Sequence, residues 1–440
     1  MGEEKAQMRK YLGWRVRVPF AMLVAAVALT IVVTDSGAKT AGKAHAAAGL
    51  ACGLGTGKPA TGTPILLGAI SVKQAGTDFT DIPNMANAYF QCVNANGGIY
   101  GHPIKQDLLT DQTIPSQLAA EARQLIQTDH VVGIAGSSDI IDCAVNSSYY
   151  AQQHFYVLEA GIAEQCYSSP FEAPVNMGPR YSADGATQTA IKLGAKKIAF
   201  DQSNVPGTQY NAGGSKLIAA EHHIPIQFLT ENAASINGAT AAEKEVQAAG
   251  PGGAVVLVFT PPVALAILQG AQHLGLQNKV IWTCATPCNT DFLSNALGST
   301  WNHKLYVNAE MNDIHDDGGA DATLYLKVLK QYGSSVAGGI GSFSQFGFVL
   351  GQLAVKALLS IKSQVYTAAT VNAAFHALKG FKTDFLCKPW YFGALPNNTD
   401  YTTYPENGVM QIVPHSGCLP IDKVDPEVAT VRAYEKAHGV

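Results

Sequence analysis

Charged residues are scarce in this sequence. Asp, Glu, Lys and Arg make up 14% of its 440 residues, against 47% hydrophobic residues. A chain with this much apolar surface to bury is globular rather than intrinsically disordered. Positive charge has no excess either, because the formal net charge is −4 and no basic stripe follows the first 20 residues. We therefore expect no nucleic-acid partner.

The motifs of common enzymes and metal sites are also missing. Residues 53–58 lack the first Gly and the final Ser or Thr of a phosphate-binding loop, and no strand precedes them. Gly136-Ser137-Ser138 does not have the Gly-x-Ser-x-Gly spacing of a hydrolase nucleophile. Cys284 and Cys288 could form half of a metal site, but no partner pair of Cys or His has zinc-ligand spacing, and the acidic run 313–317 does not match a calcium loop. We predict no enzyme activity, metal or cofactor.

The first 38 residues have the pattern of an export signal. Basic residues precede the apolar run Val18–Val33, and small residues at 36–38 resemble a cleavage site. The run is short for a membrane span but could act as an uncleaved anchor. Cys52 offers a lipidation alternative, although Gly49 stands where such motifs usually have Leu. We expect an extracytoplasmic protein that is secreted, periplasmic or associated with the cell envelope.

The sequence contains eight cysteines, an even number that predicts disulfides in an exported chain. The sequence does not determine their connectivity. Proximity favours Cys143–Cys166, Cys284–Cys288 and Cys387–Cys418, which leaves Cys52–Cys92.

An alternation of strands and helices dominates the chain after residue 63. Residues 39–63 are small, Gly-rich and unpatterned, which indicates a flexible linker. A first strand, Ile65–Val72, opens a series of strand–helix units, and the series restarts with a helix over 184–193. Strands alternating with helices of 10–15 residues predict parallel sheets. The predicted fold is therefore α/β, with two doubly wound halves.

The polar loops that follow the predicted strands are the candidate ligand site, because open α/β sheets bind ligands at the carboxyl ends of their strands. The clearest candidate is the stretch 131–142, in which a strand stops at Gly136 and a helix follows. Ser137, Ser138 and the free helix amides could bind a carboxylate, although the serines could also serve only as a helix cap. The other candidates in such loops are Gln74, Thr77, Phe79, Asn204, Pro206, Thr260, Pro261 and Thr286.

Residues 93–101, VNANGGIYG, match the Asn-x-x-Gly-Gly-Ile-x-Gly motif that follows the first helix in one family of binding proteins. The serine turn at Gly136 and the Ala160-Gly161 loop support the match. Over residues 64–415 the sequence resembles the type 1 solute-binding proteins of ABC transporters, of the Leu/Ile/Val-binding kind.

The resemblance implies two lobes that are joined by three crossovers and close as a hinge on a small-molecule ligand. Lobe I would comprise 64–178 plus 311–385, and lobe II 179–310 plus 386–440. It also implies delivery of the ligand to the membrane permease of an ABC importer. A ligand-sensing receptor module of the same fold is the alternative.

The resemblance also implies how a ligand would be held. In members that bind amino acids, the serine turn and the loop Ala160, Gly161 and Ile162 hold the carboxylate, and an acidic residue in lobe II holds the ammonium group. The corresponding loop here, Cys284–Cys288, has no acid. We therefore expect a ligand with a carboxylate or carbonyl and no ammonium group, its apolar body near Phe79, Phe343 or Phe346. An amino-acid binder with a rearranged ammonium site is the alternative.

Overall fold

The structure is a computed structural model that describes residues 51–205, 208–311, 319–392, 401–404, 417–420 and 426–439. For the short segments 401–404 and 417–420 it describes the backbone. The predicted export signal, Pro206 and the side chain of Cys418 lie outside the described residues.

The first sheet is formed by six strands of the N-terminal half. They are β1 (Ile65–Gln74), β2 (Thr77–Asp78), β3 (Ile104–Asp111), β4 (Gly133–Ser137), β5 (Val157–Glu159) and β6 (Glu172–Pro174). Five of them run parallel in the order β3-β1-β4-β5-β6, and β2 folds back antiparallel on the end of β1. All five parallel strands therefore end at the same edge of the sheet.

The second sheet is formed entirely by parallel strands. They are β7 (Ile198–Ser203), β8 (Ile226–Glu231), β9 (Ala254–Val258), β10 (Ile281–Cys284) and β11 (Leu305–Val307), in the order β11-β10-β9-β7-β8. A separate antiparallel ladder joins β12 (Tyr401–Tyr404) to β13 (Gly417–Pro420). The two parallel sheets with intervening helices confirm the predicted α/β fold with two doubly wound halves.

Helices connect and cover the strands. They are α1 (Asp81–Ala95), α2 (Pro115–Arg123), α3 (Asp142–Gln153), α4 (Gly178–Lys192), α5 (Ala212–Glu221), α6 (Gly238–Ala249), α7 (Pro261–His273), α8 (Asp291–Leu297), α9 (Ala320–Tyr332), α10 (Ser342–Ser360), α11 (Ala368–His376) and α12 (Pro426–His438). Among the described residues, α10 alone has the length and apolarity to cross a membrane. Its most apolar window is 83% buried inside the protein, as expected of a core helix.

The helix α1 shows how the sequence directs the fold. Ile82, Met85, Tyr89 and Val93 recur at helical spacing, and all four are buried between the first sheet and α10. The helix ends before Gly97, whose φ of 105° favours glycine. The predicted motif at 93–101 is therefore a helix terminus followed by a tight turn.

Some predicted boundaries are wrong. The helix predicted over 184–193 begins at Gly178, because Pro179 at its second position starts the first turn earlier. The helix expected after the strand that stops at Gly136 begins only at Asp142. Strands β6 and β11 were not predicted, since each has three residues and shows no period.

The hydrophobic clusters follow the two sheets. The first cluster joins the strands of the first sheet to the return segment, from Met311 to Phe392. Within that segment Trp390 donates its indole N–H to the Pro174 carbonyl at 3.0 Å. Two further clusters, with buried residues from Ala183 to Val307, cover the faces of the second sheet. The predicted lobe boundaries stay a prediction, although the first cluster extends beyond residue 385.

Three predicted disulfides are present: Cys52–Cys92, Cys143–Cys166 and Cys284–Cys288. Cys387 is also disulfide-bonded. Since Cys52 is buried in its disulfide, its thiol is not available to a lipid.

Residues 51–63 of the predicted linker pack beside the first sheet. Ala60 and Gly62 donate backbone hydrogen bonds to the carbonyls of Asn94 and Gly101.

Candidate ligand-binding site

A cavity lies where the carboxyl ends of the two sheets face each other. Its empty volume is about 740 Å³, including the opening to solvent. Loops after β1, β4 and β5 line it together with the start of α10, and so do α4 and the loops after β7, β9, β10 and β11. This is the position at which α/β sheets bind ligands.

The side of the cavity formed by the first sheet is mainly apolar. We call Phe79, Ile82, Ile140, Ile162, Phe343 and Phe346 the first-sheet wall. The Phe79 and Phe343 rings meet edge to face with centroids 5.0 Å apart, and Phe343 lies 6.3 Å from Phe346. This wall can bury an apolar ligand body through close packing.

Polar side chains are concentrated on the opposite side. We call Asn176, Ser182, Thr208, Asn211, Thr260 and Glu310 the second-sheet wall; they come from the β6–α4 crossover, α4 and the loops of the second sheet. Thr260 also donates its hydroxyl to the Gly76 carbonyl at 2.8 Å. Since Gly76 lies in the turn between β1 and β2, this bond joins the two sides of the cavity directly.

The structure brings about half of the predicted site residues into this cavity. Those that line it are Thr77, Phe79, Ala160, Ile162, Thr260, Phe343 and Phe346. Pro261 lines an adjoining depression at the mouth, next to Asp78 and Asp81. Those that do not line the cavity are Gln74, Gly136, Ser137, Ser138, Gly161, Asn204 and Thr286.

The two serines of the predicted anion site connect strands instead. The Ser137 hydroxyl accepts a hydrogen bond from the Ile70 amide at 3.1 Å. The Ser138 hydroxyl lies 2.9 Å from the Ser71 hydroxyl and 3.2 Å from the Phe79 carbonyl, which it reaches as a donor. Both serines are buried. Their hydroxyls bind β4 to β1, and their contact with a ligand stays a prediction.

Gly161 lies behind the cavity loop, where a side chain would not fit. A Cβ atom there would approach Cys166 Sγ and a Glu159 carboxylate oxygen to 2.5 Å. The Gly161 amide donates to Glu159, and its carbonyl accepts from Tyr167 and Asn176. Burial raises the pKa of Glu159 well above its usual range. Gly161 therefore positions the neighbouring cavity residues Ala160 and Ile162.

The loop Cys284–Cys288 is held rigidly beside the cavity. Its disulfide closes the loop, and the Thr286 amide donates to the Ser182 hydroxyl at 2.7 Å. The Thr286 hydroxyl donates in turn to the Asn308 carbonyl at 2.8 Å. Thr286 therefore supports the cavity from behind, while Ala285 and Pro287 line it.

Glu310 is the principal cavity residue that the sequence did not reveal. It follows β11, and its carboxylate accepts a hydrogen bond from the Met177 amide. Burial raises its pKa to about 8, although hydrogen bonds from Met177, Thr286 and Gly178 act in the opposite direction. The available signal was an acid three residues after an apolar strand, but β11 was too short to recognise. The cavity therefore contains a buried carboxyl group whose pKa is raised above its usual range.

The architecture and the cavity agree with a comparison to protein families, in which the periplasmic binding protein family matches residues 67–402. The chain belongs to this family. As a family member it is a solute-binding protein rather than an enzyme. None of the curated proteins compared with the chain matches it.

Solved structures show the same fold. A possible leucine/isoleucine/valine-binding protein from Rhodopirellula baltica SH 1 has a TM-score of 0.66 at 16% identity, covering 84% of this chain and 99% of its own. A solute-binding protein of an ABC transporter from Rhodopseudomonas palustris BisB5, in complex with 3,4-dihydroxybenzoic acid, has a TM-score of 0.66 at 15% identity. The match covers 83% of this chain and 99% of that protein. A fatty acid ABC transporter substrate-binding protein from Thermomonospora curvata has a TM-score of 0.66 at 12% identity. The match covers 84% of this chain and 95% of that protein.

Proposed function

We propose that this protein captures one small organic solute between its two sheets and delivers it to an ABC importer in the membrane. The observation that carries the proposal is the cavity at the carboxyl ends of both sheets, in which an apolar side faces a side that combines polar and apolar residues. Family membership supports an extracytoplasmic location. Similar structures are described as binding proteins of ABC transporters.

The solute we propose has a mainly apolar body and at least one polar group. The first-sheet wall supplies the apolar contacts, and Phe79 and Phe343 offer ring faces and edges to the body. The ligands named for similar proteins, which include benzoate and 3,4-dihydroxybenzoic acid, combine these same two features. We expected a ligand without an ammonium group because the loop Cys284–Cys288 has no acid. Glu310 provides an acid beside that loop, so this reason no longer applies.

Binding and closure should be linked. The Thr260–Gly76 hydrogen bond exists only when the two sides of the cavity lie close together. A solute that contacts both walls would therefore shift the population towards this closed arrangement. Small-angle X-ray scattering should show a smaller radius of gyration with bound solute, and an unchanged profile at saturation would contradict closure.

A thermal-shift screen followed by calorimetry tests the function itself. The screen should include branched-chain amino acids, their deaminated analogues, benzoates and medium-chain fatty acids. We expect at least one class to raise the unfolding temperature and to bind with one-to-one stoichiometry, since binding to the folded state alone stabilises it. No binding by any of these compounds to the folded protein would contradict the proposal.

A further inference from the structure

Two helices meet at the mouth of the cavity, one from each side. Helix α8 follows β10 and packs into a hydrophobic cluster of the second sheet through Leu293, whereas α10 packs into the cluster of the first sheet through Phe346. At the starts of these helices, Thr290 and Gly341 form an isolated antiparallel β-bridge, which we call the mouth bridge. Both residues line the depression at the mouth rather than the cavity itself. The mouth bridge therefore joins the two sides through residues that do not line the cavity.

The mouth bridge provides an acceptor for the first amide of each helix. The Asp291 amide, the first in α8, donates to the Ile340 carbonyl at 2.9 Å. The Ser342 amide, the first in α10, donates to the Asn289 carbonyl at 2.9 Å. The first amides of a helix have no acceptor within their own helix. Each helix therefore obtains this acceptor from the opposite side of the cavity, and opening of the mouth removes both acceptors at once.

Two hydroxyl groups extend the mouth bridge. The Thr290 hydroxyl donates to the Ile340 carbonyl at 3.2 Å, and the Ser342 hydroxyl donates to the Asn289 carbonyl at 3.3 Å. Thr290 is 5% exposed and Ser342 is 2% exposed, so the hydroxyl groups are shielded from water. All four hydrogen bonds join one part of the protein to another. They stabilise the closed arrangement without any contribution from a solute.

We infer that the mouth bridge between Thr290 and Gly341 is a clasp that favours the closed cavity whether or not a solute is bound. The two residues position the walls relative to each other and do not touch the solute. This inference rests on the proposed function, because it concerns how the proposed binding site closes. A solute then supplies only part of the free energy of closure, so its affinity also depends on residues that it does not contact.

Hydrogen exchange of the Asp291 amide in the free protein measures the clasp directly, because the first amide of a helix has no acceptor within that helix. We expect the wild-type amide to exchange at least about tenfold more slowly than an unstructured amide. Ser342→Pro removes the other amide of the mouth bridge at a helix position that accepts proline. It should lower the protection of Asp291 by about tenfold and increase the radius of gyration in solution scattering. The matched control, Ser342→Ala, removes only a hydroxyl group and should stay within about threefold of the wild type.

Gly341→Ala tests the same contact by steric interference. A Cβ atom at Gly341 would lie 2.8 Å from both Cβ and Oγ1 of Thr290. Since Gly341 has an extended φ of 175°, alanine fits its backbone and interferes where the two sides meet. The protection of the Asp291 amide should fall by about tenfold.

Thr290→Gly is the rescue variant. It removes both atoms that the new Cβ atom approaches, and glycine is accepted at the residue before a helix. With Thr290→Gly present, Gly341→Ala should change the protection of Asp291 by less than about threefold. A loss caused by an altered start of α10 would not be rescued in this way.

Three results overturn the inference, provided that the variants unfold cooperatively. They are a wild-type Asp291 amide that exchanges like an unstructured one, wild-type protection in Ser342→Pro, and a double variant that is protected no better than Gly341→Ala. If Ser342→Pro does not fold, Gly341→Ala and its rescue decide the matter. The thermal-shift screen tests the proposed function separately. No binding in that screen contradicts the function without altering the exchange result, and an unprotected Asp291 amide contradicts the clasp and leaves the function intact.

Discussion

The two walls of the cavity use their polar groups differently. Behind the first-sheet wall, Ser137, Ser138 and Gly161 form hydrogen bonds with other groups of the protein. The surface that this wall presents to the cavity is therefore apolar. In the second-sheet wall, by contrast, the buried amide oxygens of Asn176 and Asn211 have no hydrogen-bond partner among the described residues. The comparison indicates that the first wall provides packing for a ligand and the second provides chemical selection.

The largest expected effect concerns a buried acid behind the first wall. Burial raises the pKa of Glu172 from 4.5 to about 8, against the opposing hydrogen bonds of Ser147 and Ser169. Between these two pH values the Glu172 carboxyl group is ionised in the unfolded chain but protonated in the folded chain. Its contribution to the free energy of unfolding therefore falls as pH rises from about 4.5 to 8. Glu172→Gln should remove this residue's contribution to the slope, so that the slope becomes shallower, and should stabilise the protein at pH 8 by at most about 5 kcal/mol. Urea unfolding at pH 5, 6.5 and 8 checks this, and an unchanged slope would contradict it.

The next effect tests the packing role of the first wall. Phe346 is 3% exposed and contacts both the core and the cavity. Phe346→Ala should lower the free energy of unfolding by about 3–5 kcal/mol and weaken solute binding. Phe292, which is 43% exposed at the cavity mouth, is the control, and its substitution by Ala should change stability by less than about 0.5 kcal/mol. Equal losses in the two variants would show that burial does not decide the effect.

The two disulfides behind the walls differ in the length of chain they close. Cys143–Cys166 spans 23 positions and Cys284–Cys288 spans four. Loop-closure entropy predicts that replacing the first pair by serines lowers the free energy of unfolding by about 3 kcal/mol. For the second pair the same entropy predicts a decrease of about 2 kcal/mol. Denaturant unfolding of the two double variants measures both values. A larger loss for the shorter loop would mean that local packing outweighs chain entropy.

The smallest effect separates structure from binding at the serine turn. Ser138→Ala leaves the Phe79 carbonyl and the Ser71 hydroxyl without their partner, which should cost about 1–3 kcal/mol of stability. Solute affinity should stay within about twofold. Ser168→Ala, at an exposed position, is the control. A large loss of affinity with stability unchanged would restore the ligand-binding role that the sequence predicts for this turn.

Periodicity predicted the long elements well. The apolar residues of α1 recur at helical spacing and those of β9 form one unbroken run, and both are patterns that the sequence alone displays. Three-residue strands such as β11 carry too few side chains to show a period. Glu310 follows that strand, so the sequence gave no basis for placing it at the carboxyl edge of a sheet.

The sequence by itself determined the α/β class and the family resemblance, and it favoured, without determining them, the three disulfide pairs that the structure contains. These depend on local spacing and on proximity along the chain. The tertiary structure alone decided which polar groups remain available to a ligand. Ser138 and Asn211 both follow strands in polar loops. Ser138 contacts Ser71 across the sheet, whereas the Asn211 amide oxygen has no donor among the residues that the structure describes. Partners for hydrogen bonds come from distant parts of the chain, and spacing along the sequence does not reveal them.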